Sequence, residues 1–435
     1  MKLSIRNFAK IKEADILVDG ITVIAGENNT GKSTVGKIVF SLFNALSGVE
    51  DEIRDERLKE MEYSNRFILQ NYINGTGNSR ITTTQNIYRL SKRISECIGN
   101  LLKEHDDISE QVIRQSVETE WNFFSRVVHI VKEETERNII DEIAENISEI
   151  LKLPEQTIVL EVISRYFNNV FYSQINPLSE NVDDETTVEL EIKGKRNKIW
   201  FSDNKCKEFE PEIDILHKAI YIDNPFIIDN LSEYNGTLMD ELLRSLLTKS
   251  LSKKAVDGVV ETVRVREKLD DIFKALKEVV DGEIVTDRED FYLKNDNLSK
   301  PILLNNLSTG MKSFVILKML LENGCISEKD VIILDEPEIH LHPQWQIVYA
   351  QMIVLLQKTF DLSVIVTTHS PYFVDALNLF SCEYGIDKKV NYYLSSLCGN
   401  TVKMDCVTDE IDLIYKKMAS PIQMLDTLRH ELNNC

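Results

Sequence analysis

The chain has 435 residues, but it has no apolar run of about 18 residues and only seven cysteines, none of them in a Cys-x-x-Cys pair. A membrane-spanning helix or a signal-peptide core is therefore not expected. An odd number of unclustered cysteines favours a reducing cytoplasm over a disulfide scaffold or a zinc site. Basic charge is also scarce, with 50 Lys and Arg against 71 Asp and Glu and a net charge of −21. We expect a cytoplasmic protein without a broadly cationic surface, so any nucleic-acid contact would be local or made by a partner.

The chain does contain a loop of the form G-x-x-x-x-G-K-[ST]. An apolar β-branched run precedes it, and a segment with apolar residues at helical spacing follows it. Backbone N–H groups of such a loop wrap a pyrophosphate, its Lys neutralises the β- and γ-phosphates, and its Ser ligates Mg²⁺. The following helix points its positive end at the phosphates. The predicted site for ATP and Mg²⁺ comprises Gly26, Glu27, Asn28, Asn29, Thr30, Gly31, Lys32, Ser33 and Thr34.

Two further apolar strands end in polar residues. Residues 331–334 precede Asp335 and Glu336, an order that places one carboxylate for Mg²⁺ and the next for activating water. A second apolar strand, 362–368, ends at His369, where an imidazole can reach a γ-phosphate. We predict Asp335 as a metal ligand beside the loop serine, and Glu336 and His369 as catalytic residues.

A polar motif at 307–312 lies between the loop and the acidic strand, just before a strongly apolar helical segment at 313–321. At the start of that helix, Ser308 and Gly310 can present a hydroxyl and N–H groups to an anion. These two residues are predicted to bind nucleotide. The alternative interpretation is a plain helix N-cap.

The rest of the chain alternates between strand-like and helix-like patterns. Alternating residues at 2–16 predict two antiparallel strands, and 187–201 predicts a hairpin. The predicted segments are an N-terminal lobe at 1–48, a helical insertion at 49–186, a β hairpin and core strand at 187–231, a second helical insertion at 232–281, a C-terminal lobe at 282–377, and closing strands and a helix at 378–435.

The densest positive charge in this acidic chain lies at the predicted hairpin turn. We call it the basic cluster; it consists of Lys193, Lys195, Arg196 and Lys198. It is the candidate for a local DNA contact, and a solvated turn is the alternative.

Together these motifs resemble the heads of ABC-type, SMC-like ATPases. Within that class they are similar to the overcoming-lysogenisation-defect group and its relatives in bacterial anti-phage systems of the Septu or PARIS type. The resemblance covers residues 1–48 and 283–377 and is carried by Ile5-Arg6-Asn7-Phe8, by 305–312, by 335–343 and by 367–371. It implies an α/β P-loop NTPase fold, with a mixed or parallel core sheet, an antiparallel β subdomain and helical insertions.

The resemblance also implies how the motifs are used. Residues 307–312 would be the signature motif, acting in trans on the ATP of an opposing subunit in a head-to-tail dimer or higher oligomer. This signature departs from LSGGQ at Thr309 and at Met311-Lys312. His340 and His342 would pack at the dimer contact rather than hold a metal.

One expected element stays open. The glutamine that follows a core strand in such ATPases is not assigned, and the candidates are Gln70, Gln85, Asp223 and Asn224.

The implied function is ATP hydrolysis to ADP and phosphate by a sensor or regulatory subunit of an anti-phage system. It would control a separately encoded effector, a nuclease, and have no membrane partner. No nuclease domain is expected in the short stretch after His369. Two alternatives stay open: an ATP-stabilised scaffold with little turnover, and a repair or recombination ATPase that acts on DNA ends.

Overall fold

The computed structural model describes residues 1–75, 84–105, 108–128, 136–177, 185–232, 236–249, 269, 271–287, 290–295, 297–418, 425 and 429. It divides into two compact units. We call Met1–Ser47 with Ile163–Cys435 the sheet unit, and Gly48–Val162 the helical unit.

All strands of the described residues belong to the sheet unit. They are β1 (Lys2–Phe8), β2 (Ile11–Leu17), β3 (Ile21–Gly26), β4 (Thr186–Ile192), β5 (Lys195–Ser202), β6 (Lys205–Glu210), β7 (Ala219–Ile222), β8 (Glu283–Asp287), β9 (Asp290–Lys294), β10 (Ile302–Leu303), β11 (Val331–Asp335), β12 (Ser363–Thr368), β13 (Val390–Cys398) and β14 (Thr401–Cys406).

Within the described ranges, eleven of these strands form one sheet in the order β6-β5-β4-β1-β2-β14-β13-β3-β12-β11-β7. Strands β3, β12, β11 and β7 are mutually parallel, so their carboxyl ends meet at one edge. Every residue of β3 is buried, as expected for a parallel strand covered on both faces. The antiparallel strands β1, β2, β4, β5 and β6 join this core through the parallel pairing of β14 with β2. Strands β8 to β10 form a separate antiparallel sheet.

The helices are α1 (Lys32–Leu46), α2 (Val49–Gly75), α3 (Thr84–Glu104), α4 (Glu110–Val128), α5 (Glu136–Lys152), α6 (Glu155–Phe171), α7 (Leu238–Leu247), α8 (271–279), α9 (Thr309–Glu322), α10 (Pro343–Phe360), α11 (Pro371–Glu383) and α12 (Asp412–Met418). Helix α9 is apolar on nearly all sides and is almost completely buried in the core of the sheet unit. Among the residues that the structure describes, no helix is both long and apolar enough to cross a membrane.

The helical unit has its own core between α2, α3, α4 and α5. Buried residues such as Trp121, Ile143 and Ile147 fill it, because each helix carries an apolar stripe on one side and charges on the other. The predicted insertion at 49–186 contains this unit except Gly48, and all of α6, whose residues from Ile163 onwards belong to the sheet unit.

The predicted α/β fold with a mixed sheet, antiparallel strands and helical insertions is confirmed. The predicted hairpin at 187–201 continues into a third strand, β6. The sequence did not indicate β6, because only Cys206 and Phe209 on it are buried. The sequence also predicts a loop at 74–79; the structure places residues 74 and 75 at the end of α2, and residues 76–79 lie outside the described residues. Most of the closing segment after residue 418 also lies outside them.

Candidate nucleotide site

The glycine-containing loop connects the carboxyl end of β3 to the start of α1. Two of its residues, Asn29 and Gly31, have φ of 64° and 76°, in the left-handed region. Gly31 immediately precedes the first turn of α1, where glycine adopts this conformation without the steric cost of a Cβ. The loop thus curls around the N-terminus of α1, the helix end that attracts anions.

Lys32 is held inside this curl. Its side chain is only 3% exposed. Its ammonium donates to the Glu27 carbonyl at 2.9 Å and lies 3.4 Å from Glu336 Oε1. The Thr30 hydroxyl donates to the same Glu27 carbonyl at 2.7 Å. This nearly buried ammonium has one oxygen partner in the loop and one outside it. It is suited to bind further oxygens, such as those of a phosphate.

Asp335 ends β11 and is fixed by hydroxyl groups from both neighbouring strands. The Tyr221 hydroxyl on β7 donates to Oδ2 at 2.7 Å, and the Thr367 hydroxyl on β12 donates to Oδ1. Register pairing places Thr367 directly beside Asp335. Burial, and next the charge of Asp335, raise the pKa of Tyr221 well above its usual value. Tyr221 is therefore a hydrogen-bond donor at all physiological pH values.

Glu336 adopts an unusual backbone conformation with φ of 50°. Left-handed backbone at such a residue costs on the order of 1–3 kcal/mol and persists only where surrounding contacts enforce it. Here the Glu336 N–H donates to both the carbonyl and the hydroxyl of Thr367, each at 3.1 Å. This arrangement turns the Glu336 side chain towards Lys32.

His369 lies next to two carboxylates. Its Nδ1 is 3.9 Å from Glu336 Oε1 and 3.5 Å from Glu338 Oε1, and its side chain is 44% exposed. Glu338 is buried and accepts hydrogen bonds from the Thr368 hydroxyl at 2.5 Å and the His369 N–H at 2.8 Å. Burial raises the pKa of Glu338 despite these donors. Glu338 thus anchors the end of β12 from which His369 projects.

Asp223 follows β7 and adds a further carboxyl to this edge of the sheet. Desolvation by the surrounding protein, and then the charges of Asp240 and Asp335, raise its pKa to about 6, although the residue retains an exposed surface. Of the candidates for the unassigned glutamine position, Gln70 and Gln85 belong to the helical unit. Asp223 follows a strand paired with β11, which carries Asp335.

A cavity of about 370 Å³ lies over the phosphate loop. The predicted site residues that line it are Asn29, Thr30, Gly31, Lys32, Ser33, Thr34 and Glu336. Gly26, Glu27 and Asn28 belong to the loop without lining the cavity. Asp335 and His369 do not line it either: Asp335 shares Thr367 as a hydrogen-bond partner with Glu336, and His369 lies 3.9 Å from Glu336. Three contributors not anticipated from the sequence are Tyr221, Thr367 and Glu338. Tyr221 is only a polar group in an apolar strand, whereas Thr367 and Glu338 belong to the motifs at 367–371 and 335–343 without a role that the sequence assigns to them.

The predicted signature residues lie at a different cavity. Ser308 caps α9, and its hydroxyl accepts from the Met311 N–H at 3.4 Å. With Gly310 it lines a space of about 540 Å³ together with His340, His342 and Trp345. A Cβ on Gly310 would lie 2.9 Å from the Trp345 ring, so glycine is required for this packing. No residue lines both cavities.

The residues present fit ATP with Mg²⁺. Ser33 lies in the cavity and Asp335 is a carboxylate oriented by two donors at the adjoining strand end. Hard oxygen ligands of this kind suit Mg²⁺. Among the described residues, no group of three or more His, Cys, Asp or Glu forms a separate metal cluster.

The basic cluster lies at the β4–β5 turn and along β5. Across the strands, Arg196 pairs with Glu191, and Lys198 pairs with Glu189 on one side and Glu210 on the other. Residues paired in this way project from the same face of the sheet. The glutamates therefore offset much of the positive charge.

A phosphate loop between a buried strand and a helix, opposite two consecutive carboxylates at a parallel sheet edge, defines a P-loop NTPase. The chain belongs to the AAA ATPase domain family, whose model matches residues 1–374.

Two curated proteins are among its relatives. The Septu protein PtuA of Bacillus thuringiensis is 34% identical over 110 residues, which are 22% of this chain and 27% of that protein. Endonuclease GajA of Bacillus cereus (strain HuB5-5) is 22% identical over 400 residues, 82% of this chain and 52% of that protein. The chain thus spans about half or less of the length of these relatives. A solved SMC head domain from Thermotoga maritima is similar at a TM-score of 0.39, with 12% identity over 93% of this chain and 98% of that one.

Proposed function

We propose that this chain binds and hydrolyses ATP, with Ser33 and Asp335 holding Mg²⁺ and Glu336 orienting the attacking water. The observation that carries the proposal is the contact of Lys32 with Glu336 beside the fixed carboxylate of Asp335. Bound Mg²⁺ supplies neutralisation of the charge on the transferred phosphoryl group.

The chain's own residues have separate tasks in this proposal. Lys32 binds the terminal phosphates as a buried cation. Glu336 Oε1 lies between Lys32 and His369, so the carboxylate is oriented by two nitrogen groups and accepts the proton of water in a fixed direction. Thr367 keeps Glu336 and Asp335 in register with each other.

We further propose that two copies pair head-to-tail, so that the signature of one completes the ATP site of the other. The support is that Ser308 and Gly310 line a cavity separate from that of the phosphate loop. A two-fold axis would bring the two cavities together twice and give two equivalent sites. The N-terminus of α9 would then face the phosphates of the partner's nucleotide.

Substitution Glu336→Gln tests the catalytic assignment. The amide keeps the shape of the carboxylate but cannot accept the proton of water, so we expect ATP to bind and remain intact. ATP-dependent dimers should accumulate in size-exclusion chromatography with light scattering. Turnover near the wild-type rate in this variant would contradict the role of Glu336.

Mixing two inactive variants tests the shared site. A Lys32→Ala chain keeps its signature and a Ser308→Arg chain keeps its phosphate loop, so each homodimer should be inactive. A mixed dimer regains one intact site, and we expect about half of the wild-type turnover, corrected for the fraction of mixed dimers formed. Normal hydrolysis by Ser308→Arg homodimers would reduce the signature to a helix cap.

Biologically, we propose a regulatory ATPase subunit of an anti-phage system that controls a separately encoded nuclease. The similarity to the Septu protein PtuA and to the endonuclease GajA supports an ATPase that acts together with a nuclease activity; placing that activity on a separate protein is part of the proposal. Co-purification with the product of the neighbouring gene, followed by mass measurement, tests for the effector. DNA cleavage by the chain alone would contradict the separate effector, and absence of turnover in an intact complex would favour an ATP-stabilised scaffold.

A further inference from the structure

The turn after α6 has a strained backbone at the edge of the phosphate-loop cavity. Tyr172 and Ser173 have φ of 50° and 59°, two successive non-glycine residues in the left-handed region. Such a conformation persists only where other contacts enforce it, and it is concentrated at functional sites.

The strained pair is held by bonds to the end of α6: the Ser173 N–H donates to the Asn168 carbonyl at 3.2 Å and the Gln174 N–H to the Phe171 carbonyl at 3.0 Å. A neighbouring turn fixes the residues that follow. The Asn204 side chain accepts from the N–H groups of Ile175 and Asn176 at 2.8 and 3.0 Å, and the Asn204 N–H donates to the Asn176 side chain at 2.7 Å. The Ile175 carbonyl accepts from the Ala9 N–H at 2.8 Å, which joins this turn to the β1–β2 turn. The segment after α6 is therefore fixed on two sides.

Two consecutive aromatic residues in this segment have opposite environments. Phe171 packs edge-on against Phe8, with ring centroids 4.8 Å apart, and stacks on Phe167. Tyr172 is 73% exposed. Packing of Phe171 secures the end of the helix, so the Tyr172 ring is held at the surface on a rigid support.

Tyr172 lines the same cavity of about 370 Å³ as the phosphate loop, and Gln174 and Lys10 line it as well. The Lys10 ammonium donates to the Asn29 side chain at 3.0 Å, which ties this wall of the cavity to the loop. A volume of this size falls in the range of small-molecule sites. The same cavity is thus lined by the phosphate loop, by an exposed aromatic side chain and by a side-chain amide.

We propose that the turn after α6 is the base subsite of the nucleotide site, in which Tyr172 stacks on the purine ring and Gln174 hydrogen-bonds to its edge. An aromatic ring provides a stacking face for any base. A glutamine amide both donates and accepts, so it can distinguish adenine from guanine. The inference rests on the proposed function, namely that Lys32 and its loop bind the phosphates.

Calorimetric titration of the full-length chain tests the subsite with three probes: ATP, GTP and inorganic tripolyphosphate. We expect Tyr172→Ala to weaken the binding of ATP about 10-fold or more, as the loss of one aromatic side chain that stacks on a base usually does. Tyr172→Phe keeps the ring and should bind ATP like the wild type. Tripolyphosphate has no base, so its affinity should be unchanged in both variants, which also shows that the loop remains folded.

Two further variants sharpen the result. Gln174→Ala should change the ratio of ATP to GTP affinity several-fold without affecting tripolyphosphate. Tyr63→Ala is a matched control, because Tyr63 is a 62% exposed tyrosine in the helical unit, and it should affect none of the probes.

These titrations distinguish an error in the proposed base subsite from an error in the proposed phosphate site. Three results for Tyr172→Ala would each overturn the subsite. They are an unchanged affinity for ATP, an equal loss of affinity for ATP and tripolyphosphate, and a loss of dimer mass with normal ATP binding. Normal binding of both ATP and tripolyphosphate by Lys32→Ala would instead overturn the proposed function itself.

Discussion

Two buried tyrosines of the same sheet offer a test of how Asp335 is held. Tyr221 on β7 is 2% exposed and donates to Asp335 Oδ2 at 2.7 Å. Tyr392 on β13 is 3% exposed, and its buried hydroxyl has no hydrogen-bond partner among the described residues. Phenylalanine keeps either ring and removes only the hydroxyl.

The expected effects of the two substitutions differ in size. A hydrogen bond to a charged group contributes about 1.5–3 kcal/mol, so Tyr221→Phe should lower the free energy of unfolding by that amount. Tyr392→Phe removes a buried polar group that lacks a partner, so its effect should be near zero or stabilising by up to about 1 kcal/mol. Neither substitution opens a cavity large enough to mask the difference.

Urea unfolding in Mg²⁺-free buffer measures both values, since Asp335 then has only protein partners. Midpoint and slope should be compared, because only a shift in midpoint at constant slope is a change in stability. The hydrogen bond does not fix the carboxylate if both variants lose the same unfolding free energy, or if Tyr221→Phe loses less than about 0.5 kcal/mol.

Three further predictions concern charge. Lys32→Ala should abolish ATP binding in equilibrium titration, because the loop loses its nearly buried cation; wild-type affinity would contradict the loop assignment. The pKa of Asp223 is raised from 3.8 to about 6 in the folded chain, so between these pH values the folded chain keeps a proton on this carboxyl that the unfolded chain releases. Stability should therefore fall as pH rises from about 4 to 6, and Asp223→Asn should stabilise the protein at pH 7 by about 1 kcal/mol after solvent screening, but not at pH 4. Thermal unfolding at both pH values measures this in Mg²⁺-free buffer, and equal effects at the two would refute it. For the basic cluster, the facing glutamates predict that duplex DNA binding depends weakly on salt, with a slope no greater than about two, and that replacing all four basic residues by alanine barely changes this slope. A slope near four that the alanine substitutions flatten would instead indicate phosphate contacts.

The sequence was sufficient for features in which local spacing dictates structure. The phosphate loop needs a strand, a glycine turn and a helix in immediate succession, and β3, Gly31 and α1 provide them. The buried strands β11 and β12 could also be predicted from the sequence, because short β-branched apolar runs that end in polar residues are typical of a parallel core.

The groups that orient the site could not be predicted, because they depend on which strands are neighbours. Thr367 reaches Asp335 only because β12 pairs with β11 in one particular register. A shift by one residue would turn the hydroxyl to the opposite face of the sheet. Tyr221 reaches the same carboxylate from β7, more than one hundred residues earlier in the chain, and its apolar strand gives no sign of the contact.

One short loop connects the phosphate-loop cavity and the signature cavity, which Ser308 and Gly310 line. Glu336 at its start lines the phosphate-loop cavity, and His340 and His342 at its end line the signature cavity. Between them, Glu338 accepts from the His369 N–H, while Gln346 donates to the Glu338 carbonyl at 3.4 Å and accepts from the Ser370 hydroxyl at 2.8 Å. The buried carboxylate of Glu338 therefore fixes this loop to the end of β12 that carries His369. Since the signature cavity is the one proposed to complete the partner's site, residues 336–342 directly join the proposed catalytic carboxylate to the proposed dimer contact.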